Sequence, residues 1–167
     1  MEFRRATAGD LVCIREMFSH LVQHMKRDGI HIWDDVYPNE VLAEDVELGR
    51  LYVLLDGGTA VSAFALCEDC SGQGAVDWRD NDARAWYLFR LGVNVDYLRR
   101  GIGGVMIGKA VELTRELGGQ YLRLFVVDCN KPAIDMYLKY GFWQVEGAYD
   151  QVIDGRELHE FGFEINA

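Results

Sequence analysis

The segment Leu91-Gly-Val-Asn-Val-Asp-Tyr-Leu-Arg-Arg-Gly-Ile-Gly-Gly-Val-Met-Ile107 constrains this chain more than any other stretch. It opens as the end of a β-branched strand and closes on apolar residues at helical spacing, with Arg99, Arg100, Gly101, Gly103 and Gly104 between. A strand that passes through glycines directly into a helix turns successive backbone N–H groups toward one point. The first turn of the helix adds partial positive charge there. Residues 97–109 carry Arg99, Arg100 and Lys109 with no acid. The turn therefore reads as an anion cradle, suited to a phosphate or pyrophosphate.

The rest of the chain is acidic: 17 Lys and Arg stand against 27 Asp and Glu among 167 residues, a formal charge of −10. Without a basic run it lacks the footprint that nucleic acid demands, since phosphate neutralisation supplies most of that affinity. Half of the residues are apolar and 26% charged, a balance that supports a packed core. One domain, residues 1–167, is expected at this length. The start has no apolar signal core, and no stretch approaches the roughly 18 apolar residues of a membrane span. A cytoplasmic protein without a membrane partner is expected. Cys13, Cys67, Cys70 and Cys129 are too few and scattered for a disulfide framework, and Cys67-Glu-Asp-Cys70 lacks two further ligands for zinc. No metal is expected.

Thr7-Ala-Gly-Asp10 predicts a helix start, followed by Leu11, Ile14, Phe18, Leu21, Val22 and Met25 at helical spacing to an end near Gly29. A second helix is predicted from Pro38-Asn39 to Gly49. Leu51–Leu55 and Ala60–Leu66 flank Asp56-Gly57-Gly58-Thr59, hairpin chemistry. Residues 67 to 83 read as a loop, Ala85 to Val95 as a central strand, and Ile102 to Leu117 as an amphipathic helix closed by Gly118-Gly119. Then come a strand Tyr121–Val127, a short helix Pro132–Tyr140, a strand Phe142–Val145, and a strand pair around an Asp154-Gly155 turn. The order β-α-α-β-β-β-α-β-α-β-β is that of a mixed α/β sheet.

Three glycine-rich patterns compete for the turn. A dinucleotide Gly-x-Gly-x-x-Gly would need glycine where Met106 stands. Gly103 to Lys109 has P-loop spacing, but Ala110 replaces the Ser/Thr that would hold Mg²⁺, and Val105-Met106 belong to a helix face. The third pattern joins two motifs. Arg99-Arg100-Gly101-Ile102-Gly103 after a Val-x-Val strand end, followed by Asn130-Lys-Pro-Ala133-Ile-Asp-Met-Tyr137-Leu-Lys-Tyr-Gly141-Phe142, resembles the GNAT superfamily of N-acetyltransferases. The family's cofactor loop, Gln/Arg-x-x-Gly-x-Gly/Ala, departs here only at Leu98.

That resemblance implies an α/β (α+β) fold with a mixed central sheet of about seven strands flanked by about four helices, and a splayed cofactor gap between two parallel strands. It implies acetyl-CoA as cosubstrate. Backbone groups of Val93 and Val95 would pair with the pantetheine arm, amides of Arg99, Arg100, Gly101, Ile102, Gly103 and Gly104 would hold the pyrophosphate, and Asn130 would support the thioester end. Tyr137 takes the place of the family's general acid. Gly29-Ile-His-Ile-Trp33-Asp-Asp-Val-Tyr37-Pro38 resembles a Gly-x-x-x-Trp-x-x-x-Tyr-Pro stretch in a bacterial subset of the family, in which it walls the acceptor cleft. Trp33 and Tyr37 are thus substrate-binding candidates. The alternative is that they pin the loop between two helices.

An alkyl ammonium with a pKa near about 10.4 is neutral in only about one part in 10³ at pH 7, so proton removal matters for attack on a thioester. Residues 85–95 hold no carboxylate. Asp34, Asp35, His31, Asp128 or a water chain remain as candidate bases. Residues 28–47 hold seven acids and no Lys or Arg. They form either a solvated helix face or a mouth that attracts a cationic amine. The expected function is acetyl transfer to a primary amine of a small molecule or peptide. A non-catalytic CoA-binding or sensor domain is the rival. Homodimers are common in the family, and nothing in this sequence establishes one.

Overall fold

Strand β1 (Glu2–Arg5) leads into a 3₁₀ turn at Ala8–Asp10, where the Thr7/Asp10 spacing predicts a helix start. The Asp10 carboxylate accepts from the Thr7 N–H and hydroxyl, both at 2.7 Å, and from two Arg4 nitrogens at 2.7 and 2.8 Å. The Arg4 guanidinium holds that carboxyl well below the usual range. The computed structural model describes residues 1–153 and 155–167, so Asp154 of the expected last turn lies outside the described residues.

Helix α1 (Leu11–Arg27) buries Ile14, Met17, Phe18 and Val22 along one stripe and stops before Gly29, whose φ of 77° few other residues adopt. Helix α2 (Leu42–Glu47) starts later than the expected Pro38-Asn39. Turn bonds from the Glu40 N–H to the Val36 carbonyl and from the Val41 N–H to the Pro38 carbonyl occupy the intervening residues. Strands β2 (Leu51–Asp56) and β3 (Thr59–Cys67) pair antiparallel around Gly57-Gly58, as the hairpin composition requires.

The stretch 67–83, expected as loop, holds the two-residue strand β4 (Val76–Asp77). Two residues are too short to show a period. Strand β5 (Ala85–Val93) ends before the expected Val95. Asn94 turns the chain: its N–H bonds the Val61 carbonyl and its side-chain amide the Ala60 carbonyl, both at 2.8 Å, which starts a 3₁₀ turn at Val95–Tyr97. Helix α3 (Ile102–Glu116), strand β6 (Tyr121–Val127) and helix α4 (Lys131–Lys139) lie close to the expected spans. Strand β7 is only Trp143–Gln144, followed by β8 (Glu146–Gly147), β9 (Tyr149–Ile153) and β10 (Arg156–Asn166).

Eight strands form one mixed sheet in the order β1-β2-β3-β5-β6-β10-β7, with β9 against β10, while β4 and β8 pair separately. Together with the four helices among the described residues this is the architecture expected. The chain divides into two compact units, residues 1–66 with 89–106 and residues 67–88 with 107–167. The first has its core in Ile14, Phe18, Leu51, Val53 and Phe64; the second in Ile107, Ala110, Leu122, Leu124 and Phe163. Strand β5 and helix α3 contribute residues to both units. Among the described residues no helix is long and apolar enough to cross a membrane.

Candidate functional site

In the first unit, β5 delivers the chain to the glycine turn from a fixed base. The Ser62 hydroxyl bonds the Gly92 carbonyl at 2.6 Å, and a Cβ on Gly92 would lie 2.5 Å from Phe18 Cε1, so α1 packs where only glycine fits. Beyond Val95–Tyr97, Arg99 and Gly101 both adopt left-handed backbone, with φ of 62° and 77°. These reversals bring the chain into α3, whose first α-type bond runs from the Val105 N–H to the Gly101 carbonyl at 3.1 Å. The amides of Ile102, Gly103 and Gly104 precede that bond and belong to the unpaired first turn. Arg99 and Arg100 are exposed and form no ion pair among the described residues; Arg100 lies 5.0 Å over the Tyr97 ring. Lys109, the third base of the stretch, is tied to Glu112 at 2.8 Å.

The parallel ladder of β5 and β6 pairs Ala85–Tyr87 with Tyr121–Arg123, and both strands continue past its last described rung. Within β5, Arg90 has a φ of 54°, an excursion that breaks the pleat.

In the second unit, Asn130 caps α4, its side-chain oxygen accepting from the Ala133 N–H at 3.4 Å, with Pro132 in the first turn. Tyr137 follows on that helix, buried, its ring edge-on to Phe142 at 5.3 Å. The hydroxyl makes no hydrogen bond among the described residues. Burial pushes the phenol well above its usual value, so it stays protonated at any working pH. A pocket of about 610 Å³ in this unit opens against Ala85, Tyr87 and Arg123, and none of the expected site residues lines it.

The stretch 28–47, in the first unit, is less available than its charge count suggests. Asp34 accepts from the Val36 and Tyr37 N–H groups, each at 2.8 Å. Asp35 pairs with Lys26 at 3.0 Å, Asp28 with His24 at 3.4 Å, and Glu44 with Arg50 at 3.6 Å. Asp45, fully buried, takes Arg90 at 2.7 Å and Arg50 at 2.6 Å. Five of the seven acids thus serve local structure, and two of the candidate bases, Asp34 and Asp35, are among them. Trp33 packs edge-on to Phe18 at 5.7 Å and to Tyr37 at 6.4 Å, and the Tyr37 hydroxyl accepts from Arg90 at 3.4 Å. Both aromatic candidates pin the loop, and their half-buried rings still present part of their surface.

Sequence reasoning missed Arg90 and its carboxylate, 45 positions away. No local pattern could have joined them.

A family model for the acetyltransferase (GNAT) family matches residues 16–142, well over half of the chain. The chain belongs to the GNAT acetyltransferase family. Thialysine N-epsilon-acetyltransferase of Sus scrofa is 32% identical over 77 residues, 44% of this chain and 45% of that protein, so the match spans under half of the relative's length. Among solved structures, a GNAT-family acetyltransferase from Streptococcus agalactiae superposes with a TM-score of 0.83 at 16% identity, covering 99% of this chain and 95% of that one. A Salmonella typhimurium protein solved with its cofactor acetyl-CoA gives 0.71 at 18%, covering 99% and 93%. At such identities these likenesses speak for the GNAT fold alone.

Proposed function

We propose that this GNAT protein moves an acetyl group from acetyl-CoA to a primary amine of a small molecule or peptide by direct attack in a ternary complex, residues 1–167 acting as one domain. The observation that carries this reading is the turn at Arg99–Gly104. Two left-handed residues feed a helix whose first amides, among the described residues, are unpaired, beside two arginines without acidic partners there. That surface suits a pyrophosphate. Val93 and Val95 would offer backbone groups to the pantetheine arm, Val93 as the last residue of the strand and Val95 as the first of the following turn. Asn130 would support the thioester end.

Acetyl-CoA supplies the activated acyl group. The protein's part is to hold it, to free the amine of its proton, and to give a proton to the departing sulfur. Tyr137 is suited to the last task, since burial keeps its phenol protonated and its hydroxyl has no competing partner among the described residues. Similarity to a thialysine acetyltransferase over part of the chain supports an amine acceptor. Trp33 and Tyr37 are proposed to shape its site.

The test has two readings. Acetyl-CoA should raise thermal stability with concentration, as any ligand of the folded state does. Thiol release should then depend on an amine, surveyed over polyamines, amino acids and peptides. Stabilisation without release from any amine would identify a CoA-binding or sensor protein instead, and neither response would remove the reading.

A further inference from the structure

Two glutamates of β10 in the second unit face the same side of the sheet and live in opposite circumstances. Side chains alternate along a strand, so Glu160 and Glu164 share a face with Arg123, Phe125 and Val127 of β6. Glu164 is fully buried and fully served: it accepts from Arg123 at 3.0 Å, from the Arg79 N–H at 2.8 Å and from the Trp143 indole at 3.3 Å. Glu160 accepts from the Gln151 amide at 2.6 Å, and among the described residues no cation pairs with it. Its register partners are Val127 and Tyr149, and the Tyr149 ring meets Phe125 edge-on at 5.8 Å on that face.

Among the described residues, the titratable and charged groups on this face are the Cys70 thiol from the loop after β3, Tyr87 from β5, Tyr149 from β9, and the Arg123/Glu164 pair further along. Burial pushes the Glu160 carboxyl above its ordinary range, and only the Gln151 amide opposes the shift. A half-buried carboxylate without a counter-charge costs stability and is the kind of group retained for proton transfer.

Its place in the unit fits that use. Val127 is followed by a turn in which the Asp128 N–H bonds the His159 carbonyl and the Asn130 N–H bonds the Val127 carbonyl, both at 2.9 Å. Asn130 then caps the helix that carries Tyr137. Glu160 is therefore anchored at the strand end from which both proposed thioester-side residues depart. The C-terminal end of that helix lies on the other sheet face: a Cβ on Gly141 would be 3.6 Å from Ile165, which alternates away from Glu160.

We propose that Glu160 is the general base of the transfer, taking a proton from the acceptor ammonium directly or through one water; the inference rests on the acetyltransferase reading above. The new bond joins the amine nitrogen to the acetyl carbon, and the carbon–sulfur bond breaks with its electron pair on sulfur. Of the two protons the ammonium nitrogen loses, one leaves through Glu160 to solvent. The other balances the proton that Tyr137 gives to the departing thiolate.

Two measurements test this. Carbon-detected NMR titration of Glu160 in the protein without acetyl-CoA should give a midpoint above the roughly 4.3 of a free glutamate. A midpoint at or below that value overturns the proposal. For turnover, Glu160→Gln should lower kcat by about 10²- to 10⁴-fold and abolish the limb of the kcat/KM profile on which activity falls as Glu160 protonates at low pH. Acetyl-CoA affinity should be unchanged, and Glu160→Asp should recover part of the rate. A wild-type rate and pH limb in Glu160→Gln overturns the base while leaving the transfer standing. A wild-type protein that acetylates no amine overturns both. Should Glu160→Gln fail to fold, the NMR midpoint and Glu160→Asp decide.

Discussion

The acidic stretch 28–47 and the basic turn 99–104 lie in the same unit and treat their charges in opposite ways. In the first, five of seven carboxylates are engaged by backbone amides, a histidine, a lysine or arginines. In the second, two exposed arginines stand, among the described residues, without carboxylates beside unpaired amides. A charge that has folded onto a partner holds structure; one left open can meet a ligand. The same contrast separates two tyrosines. The Tyr37 hydroxyl takes a bond from Arg90, whereas the Tyr137 hydroxyl has no such bond among the described residues.

The largest effect is expected for Asp45→Asn. Removing the carboxylate would leave Arg90, whose side chain is 9% exposed, buried without its counter-charge, so unfolding in urea should show a loss of about 3–5 kcal/mol. A loss under about 1 kcal/mol would mean that the acid is not structural. Tyr137→Phe should lower kcat by about 10²-fold, or about 2.7 kcal/mol of barrier, with little change in acetyl-CoA affinity. Unchanged turnover would return this tyrosine to the core.

Gly101→Val forces a β-branched residue into a φ of 77°, at a cost of about 1–2 kcal/mol. It should also weaken acetyl-CoA binding by calorimetry, because the turn that aims the amides must relax. The smallest effect is expected for Asp35→Asn, whose partner Lys26 is exposed, with stability changing by no more than about 0.5 kcal/mol. A larger loss would move Asp35 from a solvated pair to a structural one.

Much of the fold was legible because its signals are local. Tyr121–Val127 forms β6 to the residue, an apolar run set off by Gly118-Gly119 on one side and a polar turn on the other. The Thr7/Asp10 closure and the Gly57-Gly58 hairpin each need only residues within a few positions. β4 and β8 escaped notice because two residues carry no period, and Val95 left the strand because Asn94 found Ala60 and Val61, more than thirty positions away.

Local signals along the chain gave most of the elements in their order, the glycine turn with its positive charge, and Tyr137 on a short helix. Which charges remain available depends on how the folded chain gathers them. Asp45 and Glu160 are both acids in the sequence, yet one is held between two arginines and the other, among the described residues, has a single amide. The difference is desolvation and pairing, and both depend on groups that chain folding gathers from distant positions.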